Sequence, residues 1–461
     1  MQLPSAFIHS LQGLTGFDEE AFVDIHNAAV PVTSVRLNPI KIDETARVIT
    51  GAGVKKSPVP WCANGYYLSR RPSFTFDPLF HAGCYYVQEA SSMFLEQALM
   101  QTTELSNDLK ILDLCAAPGG KSTHIQSLLS NQSVLVSNEI IKARAGILRD
   151  NIVKWGGANV VVTNNDPRDF ERLPGFFDVI VVDAPCSGSG LFRRDEMAVE
   201  EWSEQAVTLC SQRQQRILAD VLPALREEGI LIYSTCSYSQ QEDEVILEWL
   251  IASFDLESVP LKLQPEWNIT EVSAASGSGY RFWPYRVKGE GFFMSVFRKK
   301  NATGNPEKYR PKTKALPARE AAALGRWMDI SDRRFVSFGD KIYSWPAVNF
   351  EVFDFLAQRL KVIYSGVLTG ALVRDKLIPD HALAMSRILN EAVVTKTALS
   401  LEQAVCYLQR KDFSVDNAGK GWQLAGFDGF PLGWMNVLPN RINNYYPKEL
   451  RILKERIPDW S

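Results

Sequence analysis

Apolar and polar positions alternate between two rhythms through the middle of this chain. Short apolar runs stand at residues 111–114, 133–139, 159–166, 177–183 and 229–233. Each has the length and β-branched content of a buried strand. Helical spacing separates them. It predicts a helix opening at Lys121-Ser122, a long amphipathic helix over 198–225 with Trp202, Leu209 and Ile217 on its apolar face, and another over 240–253. Residues 291–298 read as a closing strand. Strand–helix alternation of this kind predicts a doubly wound α/β sheet.

The flanks follow other patterns. Phe7, Leu11, Leu14, Phe22, Ile25 and His26 have helical spacing up to Pro31. Residues 34–42 read as a strand, and 43–49 as a capped helix stopped by Gly51 and Gly53. Trp61 and residues 66–68 suggest more strand, and residues 83–94 lead into a helix ending near Met100. This is a small α+β unit. Basic residues dominate 281–319, and 301–317 has linker composition. Beyond it, residues 334–338 and 361–364 are strand-like, 400–410 is helical, and 421–434 predicts a hairpin about Asp428-Gly429. The expected division is an N-terminal extension at 1–105, a core at 106–300, a basic linker at 301–319 and a C-terminal α+β module at 320–461.

Composition narrows the function. A chain of 461 residues has room for two to four domains. A net charge of −3 supplies no global field, so any nucleic-acid contact must come from local patches such as 281–319 or Arg193-Arg194. The 7 cysteines are scattered without Cys-x-x-Cys pairs, which fits a reducing, cytoplasmic setting and argues against disulfide or zinc frameworks. Cys84 and Cys210 are expected to be structural. The 5 histidines lie far apart, so no metal site is expected. No signal peptide and no membrane span are expected.

The chemistry gathers at strand ends. The first strand runs into Cys115-Ala116-Ala117-Pro118-Gly119-Gly120-Lys121. Its proline and glycines let a ligand approach the backbone, and the following helix offers unpaired N–H groups. A nucleoside-triphosphate loop would need glycine where Cys115 stands, and the dinucleotide fingerprint is absent. The plainer alternative is an ordinary strand–turn–helix corner. Glu139 ends the second strand, where a carboxylate can accept from both ribose hydroxyls of a nucleoside. Asp166 ends the third. Asp183 and Cys186 follow the fourth, and Cys236 follows the fifth. Ligands of open parallel sheets bind at the carboxyl ends of strands, so these residues should face one crevice.

The stretches Asp113–Ser122, Asp183–Gly190 and 233–244 resemble the three signature motifs of the NOL1/NOP2/Sun family of RNA cytosine-C5 methyltransferases. The last third resembles the PUA-like tail of the RsmF-type branch, which acts on bacterial 16S rRNA. The resemblance implies a Rossmann-like core, an RNA-binding N-terminal extension, S-adenosylmethionine as cofactor, and RNA, as 16S rRNA or the small ribosomal subunit, as partner. It implies that residues 115–121, Glu139, Asp166 and Asp183 bind the cofactor. It makes Cys236 the nucleophile toward carbon 6 of cytosine, Cys186 the residue of product release and Asp183 the residue that activates the base. The chemistry of the residues alone leaves the two cysteines open, because DNA cytosine methyltransferases place the nucleophile in their Pro-Cys motif. A tRNA methyltransferase of the same family, or a non-catalytic assembly factor, are the rival expectations.

Overall fold

The computed structural model describes residues 3–28, 32–42, 54–274, 277–301, 310–374, 376–415 and 419–455. The helix expected at 43–49 lies outside them. The core strands are β1 (Lys110–Asp113), β2 (Val134–Asn138), β3 (Val160–Thr163), β4 (Phe177–Asp183), β5 (Leu225–Thr235), β6 (Thr270–Ala274), β7 (Gly277–Phe282), β8 (Phe292–Lys299) and β9 (Val362–Ser365). They form one sheet in the order β6-β7-β8-β5-β4-β1-β2-β3-β9, and Leu256–Ser258 also pairs with β8.

The five central strands β5-β4-β1-β2-β3 are parallel. Their apolar runs are buried from both faces; Ile111, Leu112, Val179, Val181, Leu231 and Ile232 have 0% exposure. Each such side chain contributes about 1.5–3 kcal/mol through burial. From β1 the chain winds outward through β2 and β3, then returns to β4 on the other side. That reversal opens a crevice at the carboxyl ends of β1 and β4.

The N-terminal extension forms a four-stranded antiparallel sheet from Lys56–Pro58, Gly65–Leu68, Thr33–Leu37 and Tyr85–Val87. The expected strand over 34–42 stops at Leu37, because residues 38–41 turn back through Lys41 and Ile42 N–H to Asn38 O. The single helical segment expected before Pro31 is two helices, Ser5–Ser10 and Glu19–Ala28, parted by left-handed glycines at Gly13 and Gly16. Phe7 and Phe22 from these helices pack against Phe192, Tyr238 and Trp283, beside the cysteine loops.

Further expectations fail in the core. The helix over 198–225 is two, Glu196–Glu201 and Glu204–Val221. The side chain of Ser203 accepts from Ala206 N–H and starts the second one. Leu209 is 54% exposed and belongs to no core, and Cys210 is only half-buried. The helix expected from residue 240 begins at Glu244.

The C-terminal third holds two four-stranded sheets. One runs Arg333–Phe338, Lys341–Pro346, Val367–Val373, Lys376–Pro379, and the other Thr395–Ala398, Gly421–Phe427, Phe430–Leu438, Arg441–Asn444. The expected hairpin turns at Asp428 and Gly429, both with positive φ (52° and 85°). The strand expected at 361–364 does not stay with this third. As β9 it pairs antiparallel with β3, so the core sheet crosses the 301–319 boundary.

Candidate active site

The loop after β1 is shaped by its backbone. Ala117-Pro118 is a cis peptide, and Gly119 adopts φ 115° at the cap of the helix Gly120–Leu128. Its carbonyls are held from outside. Arg144 donates to Ala117 O (2.8 Å), Asn151 to Pro118 O (2.8 Å), and the buried Arg36 of the N-terminal sheet to Gly120 O (3.3 Å). Arg36 also bonds Thr123 Oγ1 (2.7 Å) and lies 4.6 Å from the centre of the Trp155 ring, so the extension is locked to the helix that carries the loop.

One amide joins the loops after β1, β2 and β3. Asn138 Nδ2 donates to Leu114 O (3.1 Å) and Asn165 O (3.0 Å). Its Oδ1 accepts from Thr163 Oγ1 (2.8 Å) and Asn165 N–H (3.0 Å). Both donors and both acceptor sites of the amide are thereby used. The next residue, Glu139, is buried and accepts from Ile141 N–H (2.8 Å), with Arg144 3.4 Å from its other oxygen. Asp166 is partly exposed and accepts from Arg168 N–H (3.0 Å). Carboxylate oxygens carry two acceptor sites each, so both residues retain capacity for hydroxyl or amino donors. The chemistry of this wall therefore fits an adenosyl group. Asp113, beneath the loop, is buried and accepts from Ser122 Oγ (2.6 Å); burial pushes its carboxyl up to about 7. Burial also pushes the Cys115 thiol up.

The opposite wall holds the sulfurs. Asp183 ends β4 beside Ser234 of β5, which donates to its Oδ1 (2.8 Å). Lys121 Nζ lies 2.8 Å from Asp183 Oδ2, joining the loop after β1 to this wall. Burial alone would lower Lys121; attraction from Asp183, Asp113 and Cys236 outweighs it and holds the ammonium above its ordinary value. Cys186 Sγ and Cys236 Sγ stand 3.2 Å apart. The two thiols share one S–H···S contact, and that hydrogen bond and then burial push the Cys186 thiol well up.

A carboxylate that sequence reasoning did not single out holds these two loops together. Glu242 Oε1 accepts from Ser187 N–H (2.8 Å) and Gln214 Nε2 (3.1 Å), and Oε2 from Ser187 Oγ (2.5 Å) and Ser237 Oγ (2.7 Å). Each serine follows one of the cysteines. Gly190 N–H also donates to Cys236 O (2.9 Å). The only signal was the acidic run Glu242-Asp243-Glu244 after the fifth strand, which reads equally as ordinary helix-start charge.

Several expected surface cations are not at the surface. The side chain of Arg193 is 3% exposed and pairs with Glu290, whose other oxygen faces Arg194. Arg281 is buried against Asp243 and Glu244, and the Lys299 ammonium donates to Leu222 O and Leu225 O. The basic run 281–319 is therefore not one face. Away from the crevice, Glu96 accepts from His124 Nε2 (2.9 Å), Cys62 Sγ (3.2 Å) and Ala63 N–H (2.8 Å); the three side chains could each lend a ligand atom to a metal. Among the described residues, no helix is long and apolar enough to cross a membrane.

Comparison with known proteins gives the family. The pattern of the family described as 16S rRNA methyltransferase RsmB/F matches residues 100–298. The N-terminal domain of 16S rRNA methyltransferase RsmF matches residues 3–90, and the methyltransferase RsmF PUA domain matches 394–452. The chain is 29% identical to ribosomal RNA small subunit methyltransferase F of Aeromonas salmonicida over 97% of each chain. It is 30% identical to the protein of that name from Aeromonas hydrophila over 90% of each. Among solved structures it resembles a methyltransferase homolog protein of Pyrococcus horikoshii, with 27% identity, a TM-score of 0.51, and coverage of 64% of this chain and 100% of that one. It shares the fold of NSun6 of Pyrococcus horikoshii at 19% identity and a TM-score of 0.54, covering 65% of this chain and 98% of that one.

Proposed function

The chain belongs to the RsmF family of 16S rRNA methyltransferases, and from that premise we propose that it methylates carbon 5 of a cytosine in 16S rRNA through a covalent bond between Cys236 and carbon 6 of the base. The observation that carries this reading is the pair of sulfurs 3.2 Å apart on the wall that also bears the Lys121–Asp183 pair.

Cytosine carbon 5 is a poor nucleophile until a thiolate adds at carbon 6. Cys236 is that thiolate, and the C–S bond it forms drives the electron pair of the carbon 5–carbon 6 double bond onto carbon 5. Asp183 accepts from the exocyclic amine. As the residue that activates the base, Asp183 also serves N3, where addition builds charge, and the adjacent Lys121 ammonium holds Asp183 in place. Bound S-adenosylmethionine supplies the electrophilic methyl group. Residues 115–121 line its methionine part, Glu139 its ribose and Asp166 its adenine. Loss of the carbon 5 proton to a base then restores the double bond and expels Cys236, and Cys186 assists that release. The base must leave its stack to reach the crevice. Residues 1–105 and, apart from β9, 320–461 serve as RNA-binding flanks of the core at 106–300, and the setting is the cytoplasm, with the small ribosomal subunit.

The test uses Cys186→Ala expressed in cells, with RNA recovered from protein on a denaturing gel. A shifted band is expected, abolished when Cys236→Ala is added, with 16S rRNA as the attached RNA. A band that persists without Cys236 would sink the covalent assignment. Attached tRNA would replace the substrate.

A further inference from the structure

A cavity of about 720 Å³ opens between the two C-terminal sheets, sharing no residue with the crevice. Arg319, Arg326 and Trp327 reach it from the helix Ala318–Leu324 and the turn after it. Arg374 and Lys376 reach it from the hairpin joining Val367–Val373 to Lys376–Pro379, and Trp422 from Gly421–Phe427. All four cationic residues are exposed, and no carboxylate stands among the described lining residues. In a chain of net charge −3, such a cluster is a local device.

The two indoles are braced. Trp434 is fully buried, and the Trp327 and Trp422 rings stand edge-on to it at 5.5 and 6.4 Å. Tyr445 supports Trp422 from another side at 4.4 Å. Both indoles remain half-buried, each holding a fixed orientation at the cavity wall. Arg326, Arg374 and Lys376 with two braced indoles around one concavity offer phosphate contacts and base-stacking faces together. An acidic peptide would use only the cations. A regular duplex would present its backbone and could not put bases against the indoles.

We propose that this cavity binds a single-stranded segment of the RNA substrate, with Arg326, Arg374 and Lys376 on phosphates and a base stacked on Trp422. This rests on the reading of RNA as substrate. Its three phosphate-binding cations lie in a stretch, residues 299–393, that none of the three family patterns matches, and Trp422 lies in the matched PUA domain.

The experiment measures binding of a fluorescein-labelled, mixed-sequence single-stranded RNA of about 20 nucleotides to the full-length protein across a salt series. Arg326→Glu with Lys376→Glu should weaken binding at least about tenfold and flatten the dependence of log affinity on log salt by about 1.4, roughly 0.7 for each phosphate that is no longer neutralised. Trp422→Ala should weaken binding about fivefold or more while leaving that slope unchanged. The affinity for S-adenosylmethionine should not move in either variant, which checks the fold. For methyl transfer, KM for RNA should rise while kcat holds. Wild-type RNA binding by both variants would overturn the proposal. So would loss of methylation confined to assembled subunits with naked-RNA binding intact, because the occupant would then be a protein. If the wild type makes no 5-methylcytosine while these variants still lose RNA, the chemical reading fails and the cavity assignment stands.

Discussion

The two walls of the crevice are tied by different chemistry. On the cofactor wall, Asn138 holds the loops after β1, β2 and β3 and uses both kinds of hydrogen bond, two given and two received. On the cysteine wall, Glu242 holds the loops after β4 and β5 and only receives. The loops explain the choice. Those on the cofactor wall offer two carbonyls, a hydroxyl and an N–H, which a neutral amide satisfies completely. Those on the cysteine wall offer an N–H and two hydroxyls, joined by the amide NH₂ of Gln214 from the neighbouring helix, and such donors call for a carboxylate. A tie must match the polarity of the loop ends it joins. The bond of Lys121 to Asp183 is where the two systems meet.

Breaking the carboxylate tie should have the largest effect. Glu242→Ala leaves the donors of Ser187, Ser237 and Gln214 buried without their acceptor, which costs about 3 kcal/mol or more. It also frees the cysteines from their 3.2 Å spacing. A displacement of about 1 Å at a reacting group lowers kcat about 10²-fold. We expect that loss in kcat for methyl transfer, with little change in the affinity for S-adenosylmethionine measured by calorimetry. Glu242→Gln should recover part of the loss, because the two hydroxyls can turn to accept from the new NH₂ group. Equal damage to cofactor binding would show that the walls are not separately held.

What could be read in advance follows the same division. The parallel strands, the glycine turn and the cysteines at strand ends were legible because each is local: an apolar run, a turn residue, a motif. So was the hairpin at Asp428-Gly429, since two consecutive positive φ values demand such residues. The ties were not legible. Asn138 and Glu242 act on partners brought close only by the fold, and each sits beside a more conspicuous acid, Glu139 or Asp243. Arg193 looked like a surface cation because its partner Glu290 lies 97 residues away. The 198–225 helix looked continuous because apolar spacing survives across the break, while Ser203 restarts the helix. Residues 361–364 were legible as strand, but an apolar run does not say which sheet it will join, and here it extends the core.

Reversing the polarity of the amide tie comes next in size. Asn138→Asp is nearly isosteric but turns two donors into acceptors. A carboxylate oxygen would then face Leu114 O and Asn165 O. The expected cost is about 2–4 kcal/mol of stability, read as a lower midpoint in denaturant. The affinity for S-adenosylmethionine should fall more than kcat at saturating cofactor, the mirror of the Glu242 result. A variant that lost kcat and kept cofactor affinity would sink the assignment of Asn138 to the cofactor wall.

Gly119→Ala tests whether backbone shape alone makes the cofactor loop, and its effect should be the smallest. A Cβ there would meet Leu148 Cδ1 at 3.3 Å and Asn151 Cβ at 3.4 Å, approaches that neighbouring side chains can relieve by small shifts. The backbone cannot shift so easily. At φ 115° an alanine is strained, and Thr123 N–H, Arg144 and Asn151 hold the loop's carbonyls where they are. The strain should cost about 1–2 kcal/mol in stability and weaken cofactor binding by less than about tenfold. The double variant with Leu148→Ala separates the two causes. If crowding dominates, trimming Leu148 restores cofactor affinity to the value of Leu148→Ala alone. If the left-handed backbone dominates, the losses add, which is the outcome expected from a loop whose form is set by its own dihedrals.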